Sequence, residues 1–149
     1  EICACLVGSE MCIRDRHILL AEDNELNMEI AEFMLQNEGA DVTKAWNGQE
    51  AVELFEKSRA GEFDVILMDI MMPVMNGYDA TKTIRSLDRE DAKEVPIIAM
   101  TANAFTEDRI RAKEAGMDEH IAKPVDAKLL VKVIHKLVDW RKILSEGDS

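Results

Sequence analysis

The sequence predicts an α/β protein built on a central parallel sheet, and three observations carry that prediction. Apolar runs of strand length alternate with apolar residues at helical spacing along most of the 149-residue chain. One run, Val65 to Asp69, is apolar up to its last residue, as in a strand buried on both faces within a parallel sheet. Polar side chains close four of the five predicted strands at the carboxyl ends, where open α/β sheets bind ligands. Five strands alternating with five helices imply helices on both faces of the sheet, joined by right-handed crossovers.

His17-Ile18-Leu19-Leu20-Ala21 is the first strand, ending on Glu22-Asp23-Asn24. A helix follows, capped by Asn24 or Asn27, with Met28, Ala31, Met34 and Leu35 at helical spacing and Gly39 past its end. Asp41 to Ala45 alternates more and reads as a strand near the edge. Asn47-Gly48 turns into a second helix that buries Ala51, Val52, Leu54 and Phe55, and Gly61 breaks it before the third strand. After Asp69 a Met-Pro turn closes on Asn76-Gly77, which opens a helix carrying Ala80, Ile84 and Leu87. Asp88 to Glu94 is polar and reads as a loop. Pro96 to Thr101 is the fourth strand, with Pro at its tolerated first position. Thr106-Glu107-Asp108 starts the next helix, which runs through Ile110 and Ala115 to Gly116. Glu119 to Ala122 is a brief fifth strand closing on Lys123-Pro124. Asp126 begins a last helix through Leu129, Leu130, Val133, Ile134, Leu137 and Val138. Residues 142–149 form a tail expected to fray.

Composition narrows the function classes. A net charge of −12 leaves no basic stripe to exchange for counterions, which disfavours nucleic acid and anionic membrane surfaces as partners. No apolar run approaches the roughly 20 residues of a membrane span. All three cysteines (Cys3, Cys5, Cys12) fall within residues 1–16, without a metal-ligand set or a basic signal-peptide start. That segment reads as a translated sequencing adapter rather than native protein. Back-translation of Leu6 to Asp15 fits a transposase adapter, and Glu1-Ile2 fits the end of a flow-cell primer. Residues 17–141 are then the folded domain, and the native chain is expected to continue upstream of His17. Cysteine usage therefore says nothing about redox compartment.

The chemistry lies in the strand-end residues Glu22-Asp23, Asp69, Thr101 and Lys123. In a doubly wound sheet these ends share one rim. Three carboxylates gathered there repel one another and call for a cation. Hard oxygen donors without His or Cys favour Mg²⁺ or Mn²⁺ over zinc. Lys123 supplies a point charge and Thr101 a hydroxyl donor suited to an added phosphoryl group, with Asp69 as the carboxylate nucleophile. Taken singly, each has a plainer reading: Asp69 as a strand-end cap, Glu22-Asp23 as helix N-terminal acids, Thr101 as a cap, and Lys123 as a residue before a turn. His17 and His135 are at no metal-ligand spacing. Met68, Met71, Met72 and Met75 read as packing and turn residues. Trp46 and Trp140 are expected near the surface.

In this order and spacing, ILLAEDN, VILMDIMMPVMNG, IIAMTAN and AKPVD resemble the receiver (response-regulator) domain of two-component signalling, over roughly residues 17–140. The resemblance implies a flavodoxin-like (βα)5 fold with strand order 2-1-3-4-5, and phosphoryl transfer from a partner's phosphohistidine to Asp69. It implies that Asp23 ligates Mg²⁺ directly, Glu22 through water, and Met71 by its main-chain carbonyl, with Thr101 and Lys123 on the phosphoryl oxygens. The acidic pair is Glu-Asp where the family more often has Asp-Asp, and His120 stands where it often has a switch Tyr or Phe. Thr101 and His120 are thus the expected switch pair, and Met71 and Asn103 the residues expected to tune phosphoryl lifetime.

The implied partner is a histidine kinase or histidine phosphotransfer domain. Such a domain catalyses its own phosphorylation and dephosphorylation without being a turnover enzyme, although the parent protein can be a histidine kinase. LLAEDNELN and MTANAFTED are most similar to receivers at the C-terminus of hybrid sensor histidine kinases, which implies a cytoplasmic segment of a parent that can be membrane-anchored. The alternative is a stand-alone single-domain response regulator. A Mg²⁺-dependent aspartyl-phosphate phosphatase is disfavoured, because Ile70-Met71 follows Asp69 where a second Asp is usual. The intact Asp23, Asp69, Thr101 and Lys123 speak against a purely binding receiver, and a DNA-binding regulator is not expected, since no basic stretch follows the predicted last helix in the sequence given.

Overall fold

The computed structural model describes residues 16–59, 62–72, 74–88, 90–101, 106–122, 128–134 and 136–137. The strands are β1 (His17–Ala21), β2 (Asp41–Ala45), β3 (Val65–Asp69), β4 (Ile97–Thr101) and β5 (Glu119–Ala122). All pair in parallel, in the order β2-β1-β3-β4-β5, as expected. The helices between them are α1 (Glu25–Asn37), α2 (Gly48–Lys57), α3 (Gly77–Arg85), α4 (Glu90–Glu94) and α5 (Thr106–Ala115). Residues 128–134 and 136–137 are helical as well.

Strand alternation divides the core into two layers. On one face Leu19, Ala21, Ile66, Met68, Ile97 and Ala99 pack beneath Val52 and Phe55 of α2, Ala80 and Ile84 of α3, and Ala112 and Ala115 of α5. On the other, Ile18, Leu20, Val65, Leu67, Ile98, Met100 and Ile121 meet Met28, Ala31 and Leu35 of α1, with Leu130, Val131 and Ile134 of the C-terminal helical stretch. Burying a large apolar side chain fully contributes roughly 1.5–3 kcal/mol relative to exposure, so the central strands β1, β3 and β4 anchor both layers. β2 is one of the two edge strands, and only Ala45 of its five residues is buried. No helix among the described residues is long and apolar enough to cross a membrane.

Caps set the helix starts. The side chains of Asn24, Asn47 and Asn76 accept the backbone N–H of Asn27, Glu50 and Asp79 at 3.0, 2.8 and 2.9 Å. Each satisfies one of the donors that the first helical turn leaves unpaired. Asn24, not Asn27, is therefore the cap of α1. Glu50 also reaches back to the N–H of Trp46 at 2.9 Å, in the manner of a capping box.

At the amino ends of the strands, Arg85 closes the far rim of the sheet. Its guanidinium donates to the carbonyls of Gly116 (3.0 Å) and Ala92 (3.1 Å) and pairs with Asp118 (2.9 Å). The same Asp118 oxygen accepts the N–H of Ile97 at 2.9 Å. One side chain thus joins α3, α4, the turn after α5 and the start of β4.

Two expectations, the loop at 88–94 and the full burial of Leu54, need correction. Asp88 to Glu94 is not all loop, because Glu90–Glu94 forms a helical turn that buries Ala92 against the core. Ile110 and Leu129, through which the predicted helices run, lie on their exposed faces. Met34 and Leu54 are only half-buried, at the margins of their helices' inner faces. Trp46 is at the surface as expected. Gly61, Asp126, His135, Val138, Trp140, residues 1–15 and the tail from 142 lie outside the described residues.

Candidate functional site

The carboxyl ends of β1 and β3, at the centre of the sheet, bring three acids together. Glu22 is the residue after β1, and its N–H donates to the Ala45 carbonyl at 3.0 Å, so the chain is still held against β2 as it leaves the strand. The Glu22 carboxylate, 2% exposed, accepts the N–H of Asn24 at 3.2 Å. Asn24 in turn caps α1, so one short turn places Glu22, frees Asp23 to solvent and starts the helix. Asp69 ends β3 and is 3% exposed. One carboxylate oxygen from each of Glu22, Asp23 and Asp69 lies within 4.8 Å of the others.

Two buried carboxylates and one exposed carboxylate at that separation are mutually repulsive, and a cation offsets this. All three donors are hard oxygens, and Asp23 leaves one side open to water. Such a set fits Mg²⁺, which keeps several waters and takes one or two carboxylates, better than a closed protein cage. The residues present therefore fit the ion.

The loop from β3 to α3 is tightly folded. Ile70 donates to the Met100 carbonyl (3.1 Å), and Gly77 donates back to the Ile70 carbonyl (2.9 Å), which closes the loop on itself. A Cβ on Gly77 would stand 2.4 Å from the Asp69 carbonyl oxygen, so only glycine permits this return. Inside the loop Val74 has φ of 67°, an unusual conformation for a β-branched residue. Met71, two residues beyond Asp69, turns its side chain to solvent. The Met75 carbonyl accepts the N–H of Gly48, the first residue of α2, at 3.0 Å.

Thr101 ends β4 and is buried, one residue beyond Met100, the register partner of Asp69. Its own partner on β5 is Ala122, the residue before Lys123. His120 pairs with Ala99, which lies on the same face of β4 as Thr101, so His120 and Thr101 are diagonal neighbours. The His120 side chain is mostly buried, with Nδ1 3.8 Å from a Glu119 carboxylate oxygen. Lys123 and Asn103 lie outside the described residues. Asn24, Gly48 and Val74 were not singled out as site residues in the sequence. Asn-Gly at 47–48 marks a turn, but nothing in that pair says which carbonyl it meets.

Comparison with known proteins points the same way. The family model described as the response regulator receiver domain matches residues 18–135. The chain is 37% identical over 130 residues to hybrid signal transduction histidine kinase I of Dictyostelium discoideum, covering 86% of this chain and 7% of that protein. It is 37% identical over 150 residues to histidine kinase 1 of Arabidopsis thaliana, covering 80% of this chain and 12% of that protein. The chain thus spans a small fraction of these curated relatives. Among solved structures, it superposes with a TM-score of 0.76 on the receiver domain of a sensor histidine kinase from Pseudomonas aeruginosa, at 40% identity over 84% of this chain and 98% of that one. That structure holds a magnesium ion coordinated in its active-site cleft. The chemotaxis protein CheY4 of Vibrio cholerae matches with a TM-score of 0.75 and 28% identity, covering 83% and 98% of the two chains.

Proposed function

The chain belongs to the response regulator receiver domain family, and from that premise we propose that it is a phosphoacceptor, taking a phosphoryl group from a phosphohistidine onto Asp69 and changing conformation in response. The observation that carries this reading is the buried Asp69 at the end of β3, with oxygens of Glu22 and Asp23 within 4.8 Å.

In the transfer, an Asp69 carboxylate oxygen attacks phosphorus in line as the P–N bond to the partner's imidazole breaks. The imidazole leaves with the bonding electron pair and is protonated, and an acyl phosphate remains on Asp69. Glu22, Asp23, Asp69 and the main-chain carbonyl of Met71 would hold Mg²⁺ (Mn²⁺ is a workable substitute), which supplies positive charge where charge gathers on the transferring oxygens. The Thr101 hydroxyl would donate to one phosphoryl oxygen and the Lys123 ammonium would pair with another. Hydrolysis reverses the modification, and Met71 and Asn103 are the residues expected to tune its rate. The domain is a self-modifying switch rather than a turnover enzyme. Phosphodonor treatment with Mg²⁺ tests the assignment: labelling of the native chain should vanish in Asp69→Ala, and label that persists in the variant would sink it.

Thr101 closing on the phosphoryl group draws its diagonal neighbour His120 inward and remodels the surface of β5 and α5. His120→Ala should then weaken the activation-dependent change in partner binding, measured by titration with and without phosphodonor; an unchanged response would refute the role. For the wider protein, the histidine kinases among the relatives support a receiver within a hybrid kinase; the motifs LLAEDNELN and MTANAFTED lead us to place it at the C-terminus, with residues 17–141 as the domain and residues 1–16 foreign to it. The segment would work in the cytoplasm against a histidine-bearing kinase or phosphotransfer domain, and its acidic surface disfavours nucleic acid. Genomic sequence upstream of His17 decides this: a start codon directly there would leave a stand-alone regulator.

A further inference from the structure

We infer that Gly48 is a positioning residue for the metal site, bracing the β3–α3 loop that carries Met71 against the turn after β1 that carries Glu22 and Asp23. The inference rests on the phosphoacceptor reading and deepens it. Gly48 is the first residue of α2, so its N–H has no partner within the helix. It donates instead to the Met75 carbonyl at 3.0 Å. The fit leaves no room for a side chain: a Cβ on Gly48 would stand 2.3 Å from the Met75 oxygen and 2.9 Å from its carbonyl carbon. Because the obstacle is backbone rather than the end of a flexible side chain, any other residue at 48 must push the loop away.

The loop needs such a brace. Val74, immediately before Met75, is held at φ of 67° and is 81% exposed, so its own side chain does little to fix that conformation. Strained backbone of this kind persists only where neighbouring contacts impose it. Gly77 supplies one contact, through its N–H to Ile70. Gly48 supplies another, and it comes from the chain just after β2. Glu22 is bonded through its N–H to Ala45, three residues before Gly48. The path Glu22–Ala45–Gly48–Met75 therefore spans from the ligands after β1 to the loop after β3, and sets the distance between the two halves of the ligand set.

Mg²⁺ binding by the full chain, followed calorimetrically, tests this with Gly48→Ala and Asn47→Ala side by side. Asn47→Ala removes the cap of the same helix but leaves the Gly48–Met75 contact. Gly48→Ala should raise the half-saturating Mg²⁺ concentration roughly tenfold, the low end of what loss of a ligand-orienting partner costs a metal site. Phosphodonor labelling of Gly48→Ala should recover at saturating Mg²⁺, and Asn47→Ala should bind like the native chain. Equal Mg²⁺ affinity in native chain and Gly48→Ala, or an equal loss in both variants, would overturn the proposal.

Amide exchange in the native chain gives a readout independent of how Gly48→Ala folds. Since coupling between sites is reciprocal, saturating Mg²⁺ should slow exchange of the Gly48 N–H several-fold more than that of the Ala51 N–H one turn on. Equal slowing would overturn the brace. A native chain that bound no Mg²⁺ would instead overturn the phosphoacceptor reading beneath it, so the two failures are distinguishable.

Discussion

At the scale of single residues, the chain tolerates a buried hydroxyl that does nothing for packing. Thr81 in α3 is fully buried, and its Oγ1 has no hydrogen-bond partner among the described residues. A buried polar group left unsatisfied costs on the order of 1–3 kcal/mol, whereas a methyl of the same shape costs nothing there. Thr81→Val should therefore raise stability by about 1 kcal/mol, seen as a higher midpoint in urea at an unchanged slope. Acidic residues tell the opposite story. Glu22, Asp23 and Asp69 are legible in sequence because they follow apolar runs at predicted strand ends, and it is their recurrence on several strands, not any one carboxylate, that marks a site. Their closeness within 4.8 Å is a property of strand order, which no local pattern contains. Val74 is illegible for a different reason: a β-branched residue predicts extended backbone, and only the loop closures override that preference.

Among elements, the strands were the easiest to read and the short helix the hardest. Val65–Asp69 and Ile97–Thr101 are unbroken apolar runs, and both are buried along their full length. Glu90–Glu94 reads EDAKE, with Ala92 as its lone apolar residue, so no periodicity marks it. It exists because Arg85 grips the Ala92 carbonyl and the alanine fills the core edge. In α5, Ile110 mimics a core position but faces outward, because two alanines suffice for close packing against the sheet. Helix α3 matters most to the site, since it starts where the β3 loop closes. Asn76→Ala removes the acceptor for the Asp79 N–H and should cost about 1 kcal/mol. Thermal unfolding should show this loss, with the far-UV spectrum of the folded state unchanged.

Across the whole molecule, chemistry and anchorage occupy opposite rims of one sheet. The order β2-β1-β3-β4-β5 puts the acids at the carboxyl ends, while Arg85 and Asp118 tie the amino ends. That order followed from family resemblance rather than from the alternation of strands and helices, which is compatible with several parallel arrangements. Arg85→Met should strand Asp118 and two carbonyls, costing about 2 kcal/mol and lowering the melting midpoint by roughly 5–10 °C. Labelling of Asp69 below that midpoint should continue at the native rate, and a matching loss of labelling would show that the two rims are not independent.

The Arg85 clamp also makes the amino rim a handle. Whatever is fastened near it, a fluorophore at Lys93 or a surface tether beside the short helix, sits at the end of the sheet remote from the reactive carboxylate. The domain can be held, lit or immobilised there while the partner has free access to the working end.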